Sequence, residues 1–390
     1  MKICYLGYIS NETVRRMVKW LANRGHEVHV VSPIAPSEDY MNELETVHFY
    51  KSCLNSPFIK SLPFYSSWNH IYPSIKIIKK INPEILHVNN VIAFGASLLL
   101  SGNYPKVASI FGWTDITGWD DIILISRIIP NQWIYGFILR YAFRNVNAIH
   151  CFSENLSKMA SFYCRYNDKN KIITIMPGVD TKRYNSNINS LEIRKSLGGE
   201  SDPIVLSIRN IQTVYNVECL INAVPFVTKE IHNARFIIKT GQAYDINLLN
   251  KIKNMVKEMN LQNHVKFIDY VEYEELPKYL ACADVYVSTS LFDGLGISNI
   301  EALACGTPAV LADIDSTRNL IKKGLHARLY PPKDSKALAK EIISSIKNKE
   351  KENKEIHKEN FKIIKEHYDF NKNMEKMEQL YEALIKKHKK

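Results

Sequence analysis

The sequence predicts an α/β protein made of two doubly wound parallel-sheet domains facing each other across a cleft. Three observations carry that expectation. Strand-like and helix-like segments alternate from end to end, and several strand-like runs are nearly continuously apolar, as parallel strands covered on both faces require. The alternation breaks between about Pro177 and Ser201 and then restarts. With 390 residues, the chain is also too long for one comfortable core.

In the first half, strands are expected at Lys2–Gly7, His26–Ser32, Ile85–Asn89, Val107–Gly112, Ala148–Ser153 and Ile172–Met176. Helical stretches such as Glu12–Asn23, Tyr72–Lys80 and Glu154–Tyr163 lie between them, with Asn11 as an N-cap and Gly25 as a stop signal. Pro177-Gly178-Val179-Asp180 ends the last strand, and Gly198-Gly199-Glu200-Ser201-Asp202-Pro203 is turn chemistry throughout. The first domain is therefore set at 1–185 and the second at 200–365. Strands of the second are expected at Ile204–Arg209, Phe236–Lys239, Val265–Tyr270, Val285–Ser290, Ala309–Ala312 and Ala327–Tyr330. Its helices include Val217–Thr228, Ile246–Met259 and Glu274–Cys282. A final amphipathic stretch, Asn371–Lys386, carries Met374, Met377, Leu380, Tyr381 and Leu384 at helical spacing, so the closing segment 371–390 is expected to pack back on the first domain.

Composition narrows the function classes. Hydrophobic residues make up 46% and charged residues 23%, ordinary for a soluble enzyme. Met1-Lys2 runs straight into a strand, without a secretory pattern, and the apolar run from Val91 to Leu100 is too short to span a bilayer. A cytoplasmic protein is expected. Seven cysteines, an odd number with no Cys-x-x-Cys pair, agree with a reducing compartment. No metal site is expected: His26 and His29, three apart in a strand-like run, would point to opposite faces. The formal charge of +11 suits anionic partners, although much of the excess lies in the Lys-rich stretch from Lys347 to Lys365, which reads as a solvated face. No nucleic-acid-binding module appears, so nucleic acid is not an expected partner.

One stretch carries chemistry. Asp284 to Ser290 reads as a strand, Leu291 to Gly296 as a glycine-bearing loop, and Ile297 to Ala304 as a helix. In open α/β sheets the ligand crevice lies at the carboxyl ends of the strands, and a helix N-terminus there offers unpaired N–H groups to a phosphate. Gly294 and Gly296 let the backbone turn tightly and approach a ligand. Glu301 sits roughly 40° round the helix from Ile297 and roughly 100° from Ile300, flanking the face that packs on the sheet. An unpaired carboxylate there is costly, and a ribose diol would satisfy it without neutralising it. Asp293 would lie in the loop, facing a sugar's hydroxyls. The residues alone equally allow Asp293 as a turn residue and Glu301 as a carboxylate favouring the helix dipole. A dinucleotide fingerprint is excluded because Asn299 follows Gly294-Leu295-Gly296-Ile297-Ser298 where a third glycine is needed, and no P-loop occurs.

Asp293-Gly294-Leu295-Gly296-Ile297-Ser298-Asn299-Ile300-Glu301, continuing to Gly306-Thr307-Pro308, closely resembles the carboxylate–seven residues–carboxylate signature of the family-four retaining glycosyltransferases (glycosyl transferases group 1). The resemblance covers most of the chain: Arg24-Gly25-His26-Glu27-Val28-His29, Pro177-Gly178-Val179-Asp180, Glu274-Glu275-Leu276-Pro277 and Leu329-Tyr330-Pro331-Pro332 also match. It implies the two-domain GT-B architecture and a nucleoside-diphosphate sugar as co-substrate, with no other cofactor and no metal. It further implies that Glu301 binds the ribose, that N–H groups near Gly296, Ile297 and Ser298 meet the diphosphate, and that Asp293 holds the donor sugar. Arg209 matches the family's diphosphate-binding arginine.

Three departures stand out. Asp293 replaces the usual glutamate. The lysine usually found after the arginine is missing; Tyr215 stands near its place, and Lys239 is a candidate substitute. The first-domain loop that often carries a histidine reads Phe111-Gly112-Trp113-Thr114-Asp115, so Trp113 and Asp115, with Gly7, are candidates for the sugar or acceptor side.

The expected reaction is transfer of a sugar, with retention, from a donor read as UDP-linked on family grounds. The acceptor is a hydroxyl of a glycan or lipid-linked molecule in cell-surface polysaccharide or glycoconjugate synthesis. Mixed aromatic and basic stretches, Pro57 to Tyr72 and Ile122 to Phe143, raise peripheral contact with an anionic inner membrane face against the plainer reading of core helices with a basic edge. Alternatives are a sugar-nucleotide epimerase or phosphorylase on the same scaffold, and a degenerate non-catalytic nucleotide-sugar-binding protein.

Overall fold

The computed structural model describes residues 1–9, 12–36, 46–53, 70–111, 131–164, 166–198, 201–241 and 245–390. The chain divides into two compact units: Met1–Pro177 with Asn371–Lys390, and Gly178–Phe370.

The first unit holds β1 (Lys2–Leu6), α1 (Glu12–Asn23), β2 (Glu27–Ser32), β3 (Val47–Lys51), α2 (Ile71–Ile81), β4 (Ile85–Asn89), α3 (Val91–Leu100), β5 (Lys106–Ile110), α4 (Asn131–Arg144), β6 (Ala148–Cys151), α5 (Glu154–Tyr163) and β7 (Ile172–Thr174). Its seven strands, all paired in parallel, lie in the order β3-β2-β1-β4-β5-β6-β7. The order reverses between β1 and β4, which places a topological switch point at their carboxyl ends. β4, β5 and β6 are buried along their whole length, which explains their largely apolar composition, interrupted by His87, Ser109 and His150. β3 is absent from the sequence-based expectation: it is a short edge strand, half exposed, reading Val-His-Phe-Tyr-Lys, and its apolar signal is correspondingly weak. Asn11, Gly112, and the aromatic stretch 54–69 with 122–130 fall outside the described residues.

The second unit holds α6 (Leu191–Leu197), β8 (Ile204–Ser207), α7 (Val217–Glu230), β9 (Arg235–Lys239), α8 (Ile246–Glu258), β10 (Val265–Ile268), α9 (Leu276–Cys282), β11 (Val285–Ser288), α10 (Ile297–Ala304), β12 (Ala309–Ala312), α11 (Asp315–Lys322), β13 (Arg328–Tyr330), α12 (Ser335–Lys347) and α13 (Lys349–His367). Its parallel six-stranded sheet has the order β10-β9-β8-β11-β12-β13, with the reversal between β8 and β11. The core between sheet and helices is aliphatic, with Leu220, Val224, Phe236, Ile252, Val287 and Ile342 fully buried. Several expected strands end earlier than read: β8 stops at Ser207 and β11 at Ser288, because the residues beyond them turn into loops rather than continue the ladder.

The division falls at Pro177, ahead of the boundary at 185. Val179 forms a parallel bridge with Asp369, its N–H donating to the Tyr368 carbonyl at 2.7 Å while the Phe370 N–H donates back at 3.0 Å. Arg183 pairs with Glu274 at 2.9 Å. These contacts tie the segment after Pro177 to the second unit.

The last helix, α14 (Phe370–His388), buries Met374, Met377 and Tyr381 in the first unit. Trp20 Nε1 donates to Asn371 Oδ1 at 2.9 Å, and Glu378 receives both Arg24 at 2.9 Å and His26 at 2.6 Å. Inside, a chain of buried polar groups crosses the sheet. His150 Nε2 lies 2.8 Å from the Ile175 carbonyl, which can only accept, so that nitrogen carries the proton. His150 Nδ1 then accepts from Ser109 Oγ at 2.7 Å, Ser109 Oγ accepts from His87 Nε2, and His87 Nδ1 accepts from the Tyr381 hydroxyl. Tyr381 in turn accepts from Tyr5 at 2.7 Å. Every link runs in one direction, and both imidazoles are neutral. Burial holds His87 well below the usual histidine range and takes His150 to about 4.

Candidate functional site

The sequence reading centred on the loop between β11 and α10, and the fold joins that loop to the turn after β8. Thr289 Oγ1 donates to the Tyr215 carbonyl at 2.7 Å, and the Leu291 N–H donates to the Val214 carbonyl at 2.8 Å. At the head of α10, Gly296 adopts φ 72°, and a Cβ there would sit 2.5 Å from Asn299 Nδ2. Only glycine fits this left-handed, crowded position. It leaves the first N–H groups of α10 without intrahelical partners, at the carboxyl end of β11 beside the switch point.

Arg209 stands two residues beyond β8 and reaches this helix start. Its Nη1 donates to Ser298 Oγ at 2.8 Å, and its Nη2 lies 2.7 Å from Asp293 Oδ2. The Tyr215 ring lies against the guanidinium, 4.3 Å from ring centre to Cζ. Tyr286, buried below, directs its hydroxyl to Ser298 Oγ at 3.0 Å and Asn299 Oδ1 at 3.2 Å; burial pushes its phenol up to about 12. The Arg209–Asp293 pair is nearly enclosed, the side chains 10% and 15% exposed. The 2.7 Å approach is a charge contact lying outside hydrogen-bond geometry. Arg209 Nε, Asp293 Oδ2 and Asn299 Nδ2 are all buried with no hydrogen-bond partner. Buried polar atoms are satisfied as a rule, and Arg209 Nε and Asn299 Nδ2 depart from it at this helix start, beside the Arg209–Asp293 ion pair.

Lys239, at the end of β9, joins the same charge cluster. It is 9% exposed, and burial, followed by the positive charge of Arg209, holds its ammonium below the ordinary lysine range. Its Nζ stands 5.9 Å from the centre of the Tyr270 ring. Glu301, 5% exposed, lies on the buried face of α10 between Ile300 and Ala302, as its helical position implied. The structure thus groups Arg209, Tyr215, Asp293, Gly296 and Ser298 and sets Lys239 within electrostatic reach of Arg209. Gly294 and Ile297 flank them in the same loop and helix start.

In the first unit, Gly7 follows β1 with φ 154°, and a Cβ would meet the Cβ of Asn89 at 2.8 Å. Asn89 ends β4 across the switch point, is 3% exposed, and has neither amide atom hydrogen-bonded. It escaped the sequence reading. The available signal was a pair of asparagines, Asn89-Asn90, closing an apolar strand at its carboxyl end. Trp113 and Asp115 lie outside the described residues.

A possible ligand set for a metal ion was likewise not seen. Among the described residues, one group of three brings its ligand atoms within 4.8 Å of one another: Glu27 and His29 on β2 with His48 on β3. His26, the other histidine weighed from the sequence, pairs with Glu378 instead.

Two family models match the chain, "Glycosyltransferase Family 4" over residues 10–183 and "Glycosyl transferases group 1" over 189–362. The mannosylfructose-phosphate synthase of Agrobacterium fabrum is 29% identical over 180 residues, covering 45% of this chain and 39% of that protein. The alpha-monoglucosyldiacylglycerol synthase of Streptococcus pneumoniae is 21% identical over 331 residues, 82% of this chain and 71% of that one. Among solved structures, Anabaena Alr3699/HepE in complex with UDP-glucose is similar in fold with a TM-score of 0.77 at 15% identity, covering 98% of this chain and 100% of that one. No helix among the described residues is long and apolar enough to cross a membrane.

Proposed function

Because the chain belongs to the family-four glycosyltransferases and has their GT-B fold, we propose that it moves a hexose from a UDP-linked donor, with retention, to a hydroxyl of a glycan or lipid-linked acceptor. The observation that carries this reading is the seating of Arg209 on Ser298 at the open start of α10. The donor diphosphate meets the N–H groups at Ile297 and Ser298 and the guanidinium of Arg209, and Lys239 supplies the second cation that the family usually takes from a lysine after the arginine. Glu301 accepts from the ribose hydroxyls.

In this reading, the bond from the sugar C1 to the phosphate oxygen breaks as the acceptor oxygen bonds to C1 on the same face. The acceptor proton passes to the departing phosphate oxygen. Arg209 and Lys239 stabilise the charge gathering on that phosphate, an effect of several kcal/mol in an enclosed site. Their two positive charges do the neutralising work that a metal ion does in other transferases. Asp293, one methylene shorter than glutamate, divides its carboxylate between Arg209 and the donor sugar.

The acceptor side of this reading rests on Asn89 beside Gly7. An amide with a free donor and a free acceptor atom matches hydroxyl groups, which both give and take hydrogen bonds. The same unit presents an exposed stripe on α4 of Phe137, Arg140, Tyr141 and Arg144, with Phe137 69% exposed, and Phe162 on α5 79% exposed. Aromatic and guanidinium groups on one exposed helix face support docking on an anionic membrane surface.

Binding of UDP-, GDP- and ADP-sugars, followed by transfer or hydrolysis of the best binder, tests the donor. The expected result is selective UDP-sugar binding; preference for GDP-sugars would reverse the donor assignment, and no binding would end the reading. Vesicle co-sedimentation tests the surface: equal, negligible binding to anionic and neutral vesicles would remove the membrane from it.

A further inference from the structure

The geometry points to a transition-metal site on the edge of the first sheet, formed by Glu27, His29 and His48. β2 and β3 pair in parallel with His29 opposite His48 and Val31 opposite Tyr50, and Glu27 precedes His29 by two residues on the same face. Register alone therefore aims three ligating side chains at one spot, and their ligand atoms lie within 4.8 Å of one another. The two imidazoles stack with ring centres 4.8 Å apart, and His29 Nε2 stands 2.9 Å from Glu27 Oε1.

The surroundings supply what a ligating histidine needs. A carboxylate only accepts, so in the metal-free protein His29 carries its proton on Nε2, and Nδ1, 3.3 Å from the Tyr50 hydroxyl, accepts from it. When a metal takes Nε2, the proton transfers to Nδ1 and the Tyr50 oxygen accepts it. The ring stays neutral throughout, held by the outer partner that metal-bound histidines generally require. His29 is buried and fixed by its neighbours, whereas Glu27 and His48 are exposed and free to close on the ion. Lys2 Nζ, 3.2 Å from Glu27 Oε1, is the group the metal displaces.

Two imidazoles and one carboxylate select zinc, nickel or copper over magnesium and calcium, and leave coordination positions for water. The ion would clip β3, paired among the described residues only to β2, onto the sheet. Its effect is on the stability of the first unit.

The whole chain, stripped with a chelator, would be titrated with zinc chloride against a competing chelating dye, with its melting temperature followed in parallel. One zinc site is expected, accompanied by a rise in melting temperature. His48→Ala, an exposed position that leaves the fold intact, should weaken that site at least about tenfold and abolish the rise. Glu27→Gln should weaken it less. Unchanged zinc affinity in His48→Ala would assign the binding to other histidines and overturn the site, as would a wild-type chain that binds no zinc. An equal melting-temperature rise with magnesium chloride would overturn the imidazole-based selectivity.

Discussion

Two regions, a polar chain inside the first unit and the Arg209 cluster of the second, treat buried polar groups in opposite ways. In the first, the chain from Tyr5 through Tyr381, His87, Ser109 and His150 to the Ile175 carbonyl assigns every proton and carries no net charge. In the second, Arg209, Asp293 and Lys239 bring formal charge into an enclosed region, with Arg209 and Asp293 ion-paired and Arg209 Nε and Asn299 Nδ2 left without hydrogen-bond partners. A closed network spends its hydrogen-bonding capacity on the fold; an open, charged one keeps it for a ligand. The contrast sets a structural polar core beside the proposed binding site.

Substitutions can break that contrast. Arg209→Ala should lower turnover by about 10²–10³-fold, and should lower the melting temperature as well because it strands the enclosed Asp293 carboxylate. Steady-state kinetics with the best donor checks it; an unaffected rate would remove Arg209 from the chemistry. Acid should act on the first unit instead. A histidine kept neutral by folding binds its proton only near pH 4 at His150, against about 6.5 when unfolded. The folded state therefore takes up fewer protons between those values. Stability is whole above about pH 6.5 and falls as pH drops toward 4, by up to about 3 kcal/mol for this group, with His87 adding in the same direction. Denaturant unfolding at stepped pH should show that slope, and His150→Gln should flatten it. Glu301→Ala should weaken free nucleotide by about 1.5–3 kcal/mol through lost charged hydrogen bonds. Calorimetry on the folded variant is the check, and unchanged affinity would take the ribose away from Glu301.

Sequence and structure agree best where periodicity and burial coincide. β4 and β12 fall at the residues read for them, and α1 and α5 likewise, since each has a clean apolar pattern bounded by polar or glycine signals. β3 was missed because an edge strand needs only half its residues apolar, and with it went the pairing of His29 with His48. Among candidate site residues, the burial of Glu301 was legible from helix geometry, whereas its proposed role and that of Arg209 come from the family pattern. The contact of Asp293 with Arg209, and the orphaned amide of Asn89, were not. Both arise from elements distant in sequence meeting at a switch point, which no local pattern encodes. The proximity of Lys239 to Arg209 follows from β8 and β9 being neighbours in the sheet, again a matter of topology.

Helix α14 has a consequence for how the protein is made. The first unit in sequence includes Asn371–Lys390, which the ribosome reaches only after the whole of Gly178–Phe370. Until then Tyr5 and His87 lack Tyr381, and Arg24 and His26 lack Glu378. The second unit, contiguous in the chain, can finish folding while the first still waits for its last helix. Vectorial synthesis thus allows the unit that carries the Arg209–Asp293 pair to be completed before the one that carries the closed network.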